Sequence, residues 1–181
     1  MSTAVAVLAL AFGLNAFRRR RELPGTPLYV AVGAVLALAG YLVLAAVADP
    51  LLDGLDISAP NARIGAGLTL GLAAVFDLFR RAPDPASVPS GPLASLAPAF
   101  FPVLFRPDVG VLAISAGADR GVGAVVVGAA IGLAACVGWA AVVDDEAGPV
   151  TLRLERGLGH LATAFTLWLA VDVTVDGVID V

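Results

Sequence analysis

The residues "PLYVAVGAVLALAGYLVLAAVA", from Pro27 to Ala48, form an uncharged run of 22 residues. As a helix, that run spans about 30 Å, the thickness of a bilayer's hydrocarbon core. A second run, Gly121 to Val143, is equally free of charge. Two such segments in a chain of 181 residues exceed what one small soluble core hides. The remaining composition agrees: 59% of residues are hydrophobic and 14% charged, and the mean hydropathy is +0.93. Ordinary globular domains are about a quarter charged. The chain therefore reads as an all-α, polytopic membrane protein.

Four further apolar segments bring the expected number of spans to six: Thr3 to Phe17, Ile64 to Phe79, about Pro92 to Ala116, and Gly157 to about Val175. Crossing takes roughly 20 helical residues, so the first and third are short. No basic residue precedes the first apolar core, and the arginines "RRRR" follow it. That is the order of a retained span, not of a cleaved leader.

All eleven basic residues are arginines. By the expected loops, the first carries Arg18 to Arg21, the third Arg80 and Arg81, and the fifth Arg153 and Arg156, against Arg63 and Arg120 in the second and fourth. Basic residues accumulate on the cytoplasmic side. This predicts a multi-pass protein of the cytoplasmic (cell) membrane with both termini outside. The four-arginine run is then expected to anchor topology against anionic lipid. With a net charge of -4, the chain lacks the basic character of a nucleic-acid binder.

The segment "RRAPDPASVPSGP" reads as an irregular connector. It divides a single transmembrane domain, 1–181, into residues 1–79 and 92–181, with the connector at 80–91. The two parts resemble each other. "VGAVLALAGYLVLAAVAD" (Val32 to Asp49) and "VGAAIGLAACVGWAAVVD" (Val127 to Asp144) share nine of eighteen residues without gaps. "ALAFGLNAFR" (Ala9 to Arg18) and "APAFFPVLFR" (Ala97 to Arg106) share five of ten. Both third elements open on arginine followed by glycine, "RIGAG" at Arg63 and "RGLG" at Arg156. Three spans per copy is an odd number, so the copies would be inverted three-helix repeats. Such repeats are a transporter architecture, with sites built from discontinuous helices at the repeat interface. That places the expected site between the first and fourth spans, at the bilayer midplane.

The stretch "PAFFPVLFRPDVGVLAIS" carries Pro98, Pro102 and Pro107 at a spacing that resembles the "PLAIPLLAGPGAIT" motif of the MarC family of six-span integral membrane proteins. "DGLDISAPNARIGAGLTLGL" (Asp53 to Leu72) and "ERGLGHLATAFTLWLAVDVTVDGV" (Glu155 to Val178) are similar to two further patterns of that family. The resemblance covers nearly the whole chain and implies a small-solute exporter or transporter. The chain departs from the family where the first-half N-P-x-G signature keeps only Asn15. It departs again where the glycines flanking the last proline become Arg106 and Asp108.

Proline removes a donor and crowds the preceding turn, and it pushes the residue before it toward extended geometry. A break is thus expected between Phe105 and Val109, with Asp108 capping the second half-helix. The first and fourth spans are expected to be proline-broken. Asn15, Pro98, Pro102, Arg106, Pro107 and Asp108 form the candidate substrate or ion pathway. Two alternatives stay open for Arg106 and Asp108: a pair with each other in a re-entrant turn, or direct contact with solute. Asn15 serves either a helix–helix hydrogen bond or the site. Arg63 and Arg156 are expected to start helices and snorkel to an interface, and Gly65, Gly67, Gly157 and Gly159 to permit close helix packing. Asp77 is expected to pair with Arg80 or Arg81 one turn on. Asp172 is a candidate coupling carboxylate if it faces the interior, and otherwise interfacial. Trp139 is expected to anchor at an interface.

The single cysteine, Cys136, and the lone His160 have no ligand cluster around them. No nucleophile–base set, metal-ligand spacing or phosphate loop is present, so no enzyme activity, cofactor or metal is expected. The expected partners are the lipid bilayer and a small solute, with homo-oligomerisation open and no nucleic acid. The rival to transport is a non-transporting scaffold that organises lipid or protein partners.

Overall fold

The computed structural model describes residues 1–24, 26–80, 92–143 and 148–181. The connector from Arg81 to Gly91 and the "DDE" that follows Val143 lie outside the described residues. The described residues are helical and contain no strand. In chain order the helices are α1 (Thr3–Gly13), α2 (Ala16–Arg19), α3 (Pro27–Ala46), α4 (Ala48–Gly54), α5 (Ala59–Phe79), α6 (Pro107–Arg120), α7 (Val122–Val142) and α8 (Pro149–Ile179). A short turn of helix, Arg20–Glu22, follows α2, and an irregular coil of residues 92–104 precedes α6.

Local chemistry sets these boundaries. Ser2 Oγ accepts from the Val5 N–H and starts α1, and Ser58 Oγ does the same for Asn61 at the head of α5. Pro27, Pro60, Pro107 and Pro149 sit in first turns, where a missing N–H costs nothing. Between α6 and α7 the chain turns on Gly121, whose φ of +75° suits a residue without Cβ.

Four helices, α3, α5, α7 and α8, are long and apolar enough to cross a membrane. Residues 93–104 and α6 form a fifth candidate that is bent by 64° at its break. The first element does not fit the simple picture of a span. Its helix α1 has 11 residues, about 16 Å at 1.5 Å per residue, against a hydrocarbon core of about 30 Å. The last helix also starts earlier than expected, at Pro149, so Arg153 and Arg156 lie within α8 and not in a loop.

Chain neighbours pack less on each other than on the other half. The helix α5 runs along α8, α1 packs on α7 and α8, and α3 packs on α7, on α6 and on the 92–104 coil, while α6 packs on α5. Glycines bring these axes together. A Cβ at Gly67 would meet the Ala170 carbonyl at 2.7 Å as well as the Thr174 side chain. One at Gly128 would lie 2.8 Å from the Val7 carbonyl, and one at Gly117 2.7 Å from the Ala45 Cα. Gly65 and Gly157 do not have the expected packing role: nothing lies within 4 Å of a Cβ placed there. Gly65 sits two residues, or about 200°, around α5 from Gly67, and so faces away from α8.

The bundle has two ends. Met1, Arg63, Asp119, Asp176 and Asp180 meet at one, the terminal end. Arg18, Arg19, Glu22 and Arg80 meet at the other, the arginine end. The outward faces are apolar: Leu68, Leu72 and Phe76 of α5 and Leu161, Trp168 and Val171 of α8 are all exposed.

Candidate functional site

Both broken elements stop inside the bundle. The first break falls at Asn15, whose φ of 44° is left-handed and so ends α1. No proline is involved, because Ala16 holds that position. Asparagine tolerates this backbone region better than other residues with a Cβ. The second break falls at Phe105–Arg106, within the predicted interval. The extended Arg106 precedes Pro107, the first residue of α6. Pro98 and Pro102 both lie in the irregular coil.

The backbone freed at the second break is held by Tyr41 from α3. Its hydroxyl donates to the Leu104 carbonyl at 2.7 Å and accepts from the Arg106 N–H at 2.9 Å. Tyr41 is fully buried, and its ring lies 5.0 Å from that of Phe105. Non-helical backbone at membrane depth needs such partners.

Around the two breaks the side chains form one polar chain. Arg106 grips Asp108 with two bonds, Nε to Oδ1 at 3.0 Å and Nη2 to Oδ2 at 2.8 Å. Its Nη1 donates to Asp77 Oδ2 at 3.0 Å. From the other side, Arg19 Nη2 donates to both Asp77 oxygens, at 2.7 and 2.6 Å, and its Nη1 reaches both Glu22 oxygens at 3.1 and 2.9 Å. Bidentate pairs of this kind are the strong ones. Arg80 Nη1 lies 3.8 Å from Glu22, so three guanidiniums face three carboxylates. Arg19, Asp77 and Arg106 are all buried.

Asn15 joins the same region. Its Nδ2 donates to the Gly159 carbonyl at 3.2 Å and to Thr163 Oγ1 at 2.9 Å on α8. A small pocket of water-molecule size lies among Asn15, Asp77, Arg106, Asp108, Thr163 and Thr166. Gly13 and Leu70 also line it, and Leu70 and Val109 pack against Gly13, lying 3.2 and 3.3 Å from the position of a Cβ there. The structure thus brings Asn15, Arg106 and Asp108 together, from residues far apart in the chain. Both sequence alternatives for Arg106 and Asp108 hold in part: they pair with each other, and they also line a cavity.

Several expectations are corrected. Asp108 does not cap α6, because Arg106 occupies its carboxylate. Asp77 does not pair with Arg80: Arg80 has left helical geometry (ψ 128°) and is exposed, while Asp77 faces inward to Arg19 and Arg106. The arginine run does not simply face lipid. Arg19 and Arg20 are buried, Arg20 donates to the Val143 carbonyl at 2.9 Å, and Arg18 donates to that of Arg80 at 2.7 Å. Arg63 does not snorkel: it is buried, with Nε 2.9 Å from Asp119 Oδ2 and Nη1 on Asp180. Asp119 near the end of α6 and the half-exposed Asp180 just past α8 give it partners. Arg156 is exposed. Asp172 is half-buried on α8 and does not line the pocket.

Of the remaining residues, Gly159 approaches Arg18 and accepts from Asn15. Trp139 donates to Glu155 Oε1 at 3.3 Å and packs edge-on against Phe17. His160 is exposed, and Cys136 is buried. Among the described residues, no group of three or more His, Cys, Asp or Glu could hold a metal ion.

Tyr41, Arg19, Thr163 and Thr166 escaped sequence reasoning. A tyrosine in the middle of an otherwise apolar run, and threonines one turn apart in α8, were the only signals available. No protein-family model, no curated protein and no solved structure matches this chain.

Proposed function

We propose that the protein is a secondary transporter or exporter of a small solute across the cell membrane, built from six membrane elements as two inverted three-element repeats and related to the MarC family. The observation that carries this reading is the pocket itself. It joins the breaks of the first and fourth elements, the pair that the internal duplication makes equivalent. Discontinuous helices meeting at a repeat interface are how such carriers build solute sites.

The packing supports the repeat. Exchanging the halves maps α1 against α7 onto the 92–104 coil against α3, and α2 against α8 onto α6 against α5. The α3–α7 and α5–α8 contacts map onto themselves. By the arginine distribution, the arginine end is cytoplasmic and both termini are outside. The site then lies near the midplane, which α1 and α6 reach from outside over about 16 and 21 Å. The pocket is closed around a water-sized space, so solute entry requires the arginine chain to open.

One observation favours a second reading, a non-transporting scaffold: the charged side chains lining the pocket already have partners in the protein. Flux measurements in proteoliposomes over a broad panel of small solutes decide between them. The transport reading expects at least one solute to move, with Arg106→Ala and Asp108→Asn abolishing that movement. Movement unaffected by either variant removes the proposed site. No movement of any solute, together with a stable co-purifying partner, supports the scaffold.

A further inference from the structure

The helix α6 carries a second polar group on the face that bears Asp108. Ser115 and Asp119 follow Asp108 by 7 and 11 residues, which returns each to within about 20° of its direction on a helix. Ser115 is 2% exposed and its hydroxyl has no hydrogen-bond partner. Asp119 Oδ2 lies 2.9 Å from Arg63 Nε, yet neither atom makes a hydrogen bond. Buried polar atoms are normally satisfied, and each exception asks for a reason. Here a buried hydroxyl without a partner and an ion pair out of line for a hydrogen bond lie along one face of α6, on the terminal side of the Gly13–Leu70–Val109 contact.

We infer that Ser115, Asp119 and Arg63 form a second binding station on the solute path, between the pocket and the terminal end, and that both stations take small zwitterions. This rests on the transport reading of the pocket. The chemistry of the two stations is alike: a guanidinium, a carboxylate and a hydroxyl, as Arg106, Asp108 and Thr163 at one and Arg63, Asp119 and Ser115 at the other. Within each station one guanidinium faces one buried aspartate, because the second carboxylate at Arg63, Asp180, is half exposed and the second at Arg106, Asp77, is matched by Arg19. A solute of net charge entering such a pair leaves one buried ion unmatched, which low-dielectric surroundings penalise strongly. A zwitterion exchanges both partners at once: its carboxylate takes the guanidinium and its ammonium takes the aspartate. The unsatisfied serine hydroxyl and Arg63 Nε supply the additional hydrogen bonds that make that exchange favourable.

The test uses Ser115→Cys in the full chain in liposomes, with the buried Cys136 replaced by alanine. The probe is a charged methanethiosulfonate, and the reference is Ala113→Cys, on the side of α6 that carries Gly110 and Gly117 against α3. Ser115→Cys is expected to react about tenfold faster than the reference, equivalent to about 1.4 kcal/mol. Glycine is expected to slow that reaction, whereas acetate or methylammonium at equal concentration leaves it unchanged. Adding Asp119→Asn, which removes half of the pair, is expected to raise the rate further. Reaction as slow as the reference, with and without Asp119→Asn, overturns the second station. Protection by acetate or methylammonium equal to that by glycine overturns the zwitterion assignment. Arg106→Ala flux reads the pocket separately: lost flux with an inert Ser115→Cys discards only the station, and unchanged flux with a reactive, glycine-protected Ser115→Cys discards only the pocket.

Discussion

The two ends of the bundle solve the same problem differently. At the arginine end, Asp77 accepts from Arg19 and Arg106, and Arg106 holds Asp108 with two aligned bonds. At the terminal end, Arg63 stands between Asp119 and Asp180, with the Asp119 contact out of line for a hydrogen bond and Asp180 half exposed. Buried ions are retained at both, but at the first every carboxylate oxygen of Asp77 and Asp108 accepts a hydrogen bond, whereas Asp119 Oδ2 at the second accepts none. A closed network resists change because breaking any member strands another charge. An open one moves at lower cost. The contrast makes opening of the arginine chain the costly step and rearrangement at the far end the cheap one.

The largest expected effect tests that contrast directly. Arg106→Ala strands Asp108 and leaves Asp77 with Arg19 alone, and should cost about 3–5 kcal/mol, read as a shift in unfolding with rising SDS fraction in mixed micelles. Arg63→Ala should cost clearly less in the same titration. Equal losses would erase the distinction between the ends.

Tyr41→Phe removes one oxygen and leaves the Leu104 carbonyl and the Arg106 N–H without their partner. The expected loss is about 1–3 kcal/mol, with slower solute flux because Arg106 is no longer positioned. A smaller contrast comes from the glycines of α5. Gly67→Ala forces α5 from α8 near Arg63 and should destabilise by about 1–3 kcal/mol. Gly65→Ala, two residues away and facing open space, should stabilise by up to about 1 kcal/mol through helix propensity.

The smallest effect concerns Asp180, beyond the last helix. The hydrogen bond from Arg63, and then its charge, hold the Asp180 carboxyl below the usual carboxylate range. A lowered folded-state pKa contributes stability above the ordinary value, about 4, and that contribution fades as pH falls through the lowered one. Wild type should therefore exceed Asp180→Asn in stability near neutrality. The two should converge when the unfolding titration is repeated in acid.

How much of this was legible follows from which forces are local. The uncharged run from Pro27 to Ala48 forces a membrane helix whatever surrounds it, and α3 occupies nearly that stretch. Pro107 fixes its own φ and disturbs its predecessor, so the break at Arg106 could be placed within a few residues. Asn15 stood out as a polar residue in an apolar run. Partners were not legible. Asp77 has two arginines close by in sequence, yet it faces into the bundle, where Arg19 and Arg106 arrive from other helices. Tyr41 acts on a carbonyl and an amide of another element, a role that depends on the α3 face meeting the α6 break. Gly65 and Gly67 are indistinguishable as residues, and only the position of α8 separates them.

The central claim is that the pocket between the two breaks opens to water as a solute site. Thr163 lines it from α8 and is buried, as is Leu169 on the same helix. Thr163→Cys and Leu169→Cys, each without Cys136, can be reacted with a charged methanethiosulfonate in proteoliposomes. The account predicts that Thr163→Cys reacts while Leu169→Cys stays inert. Equal inertness of both cysteines would contradict it.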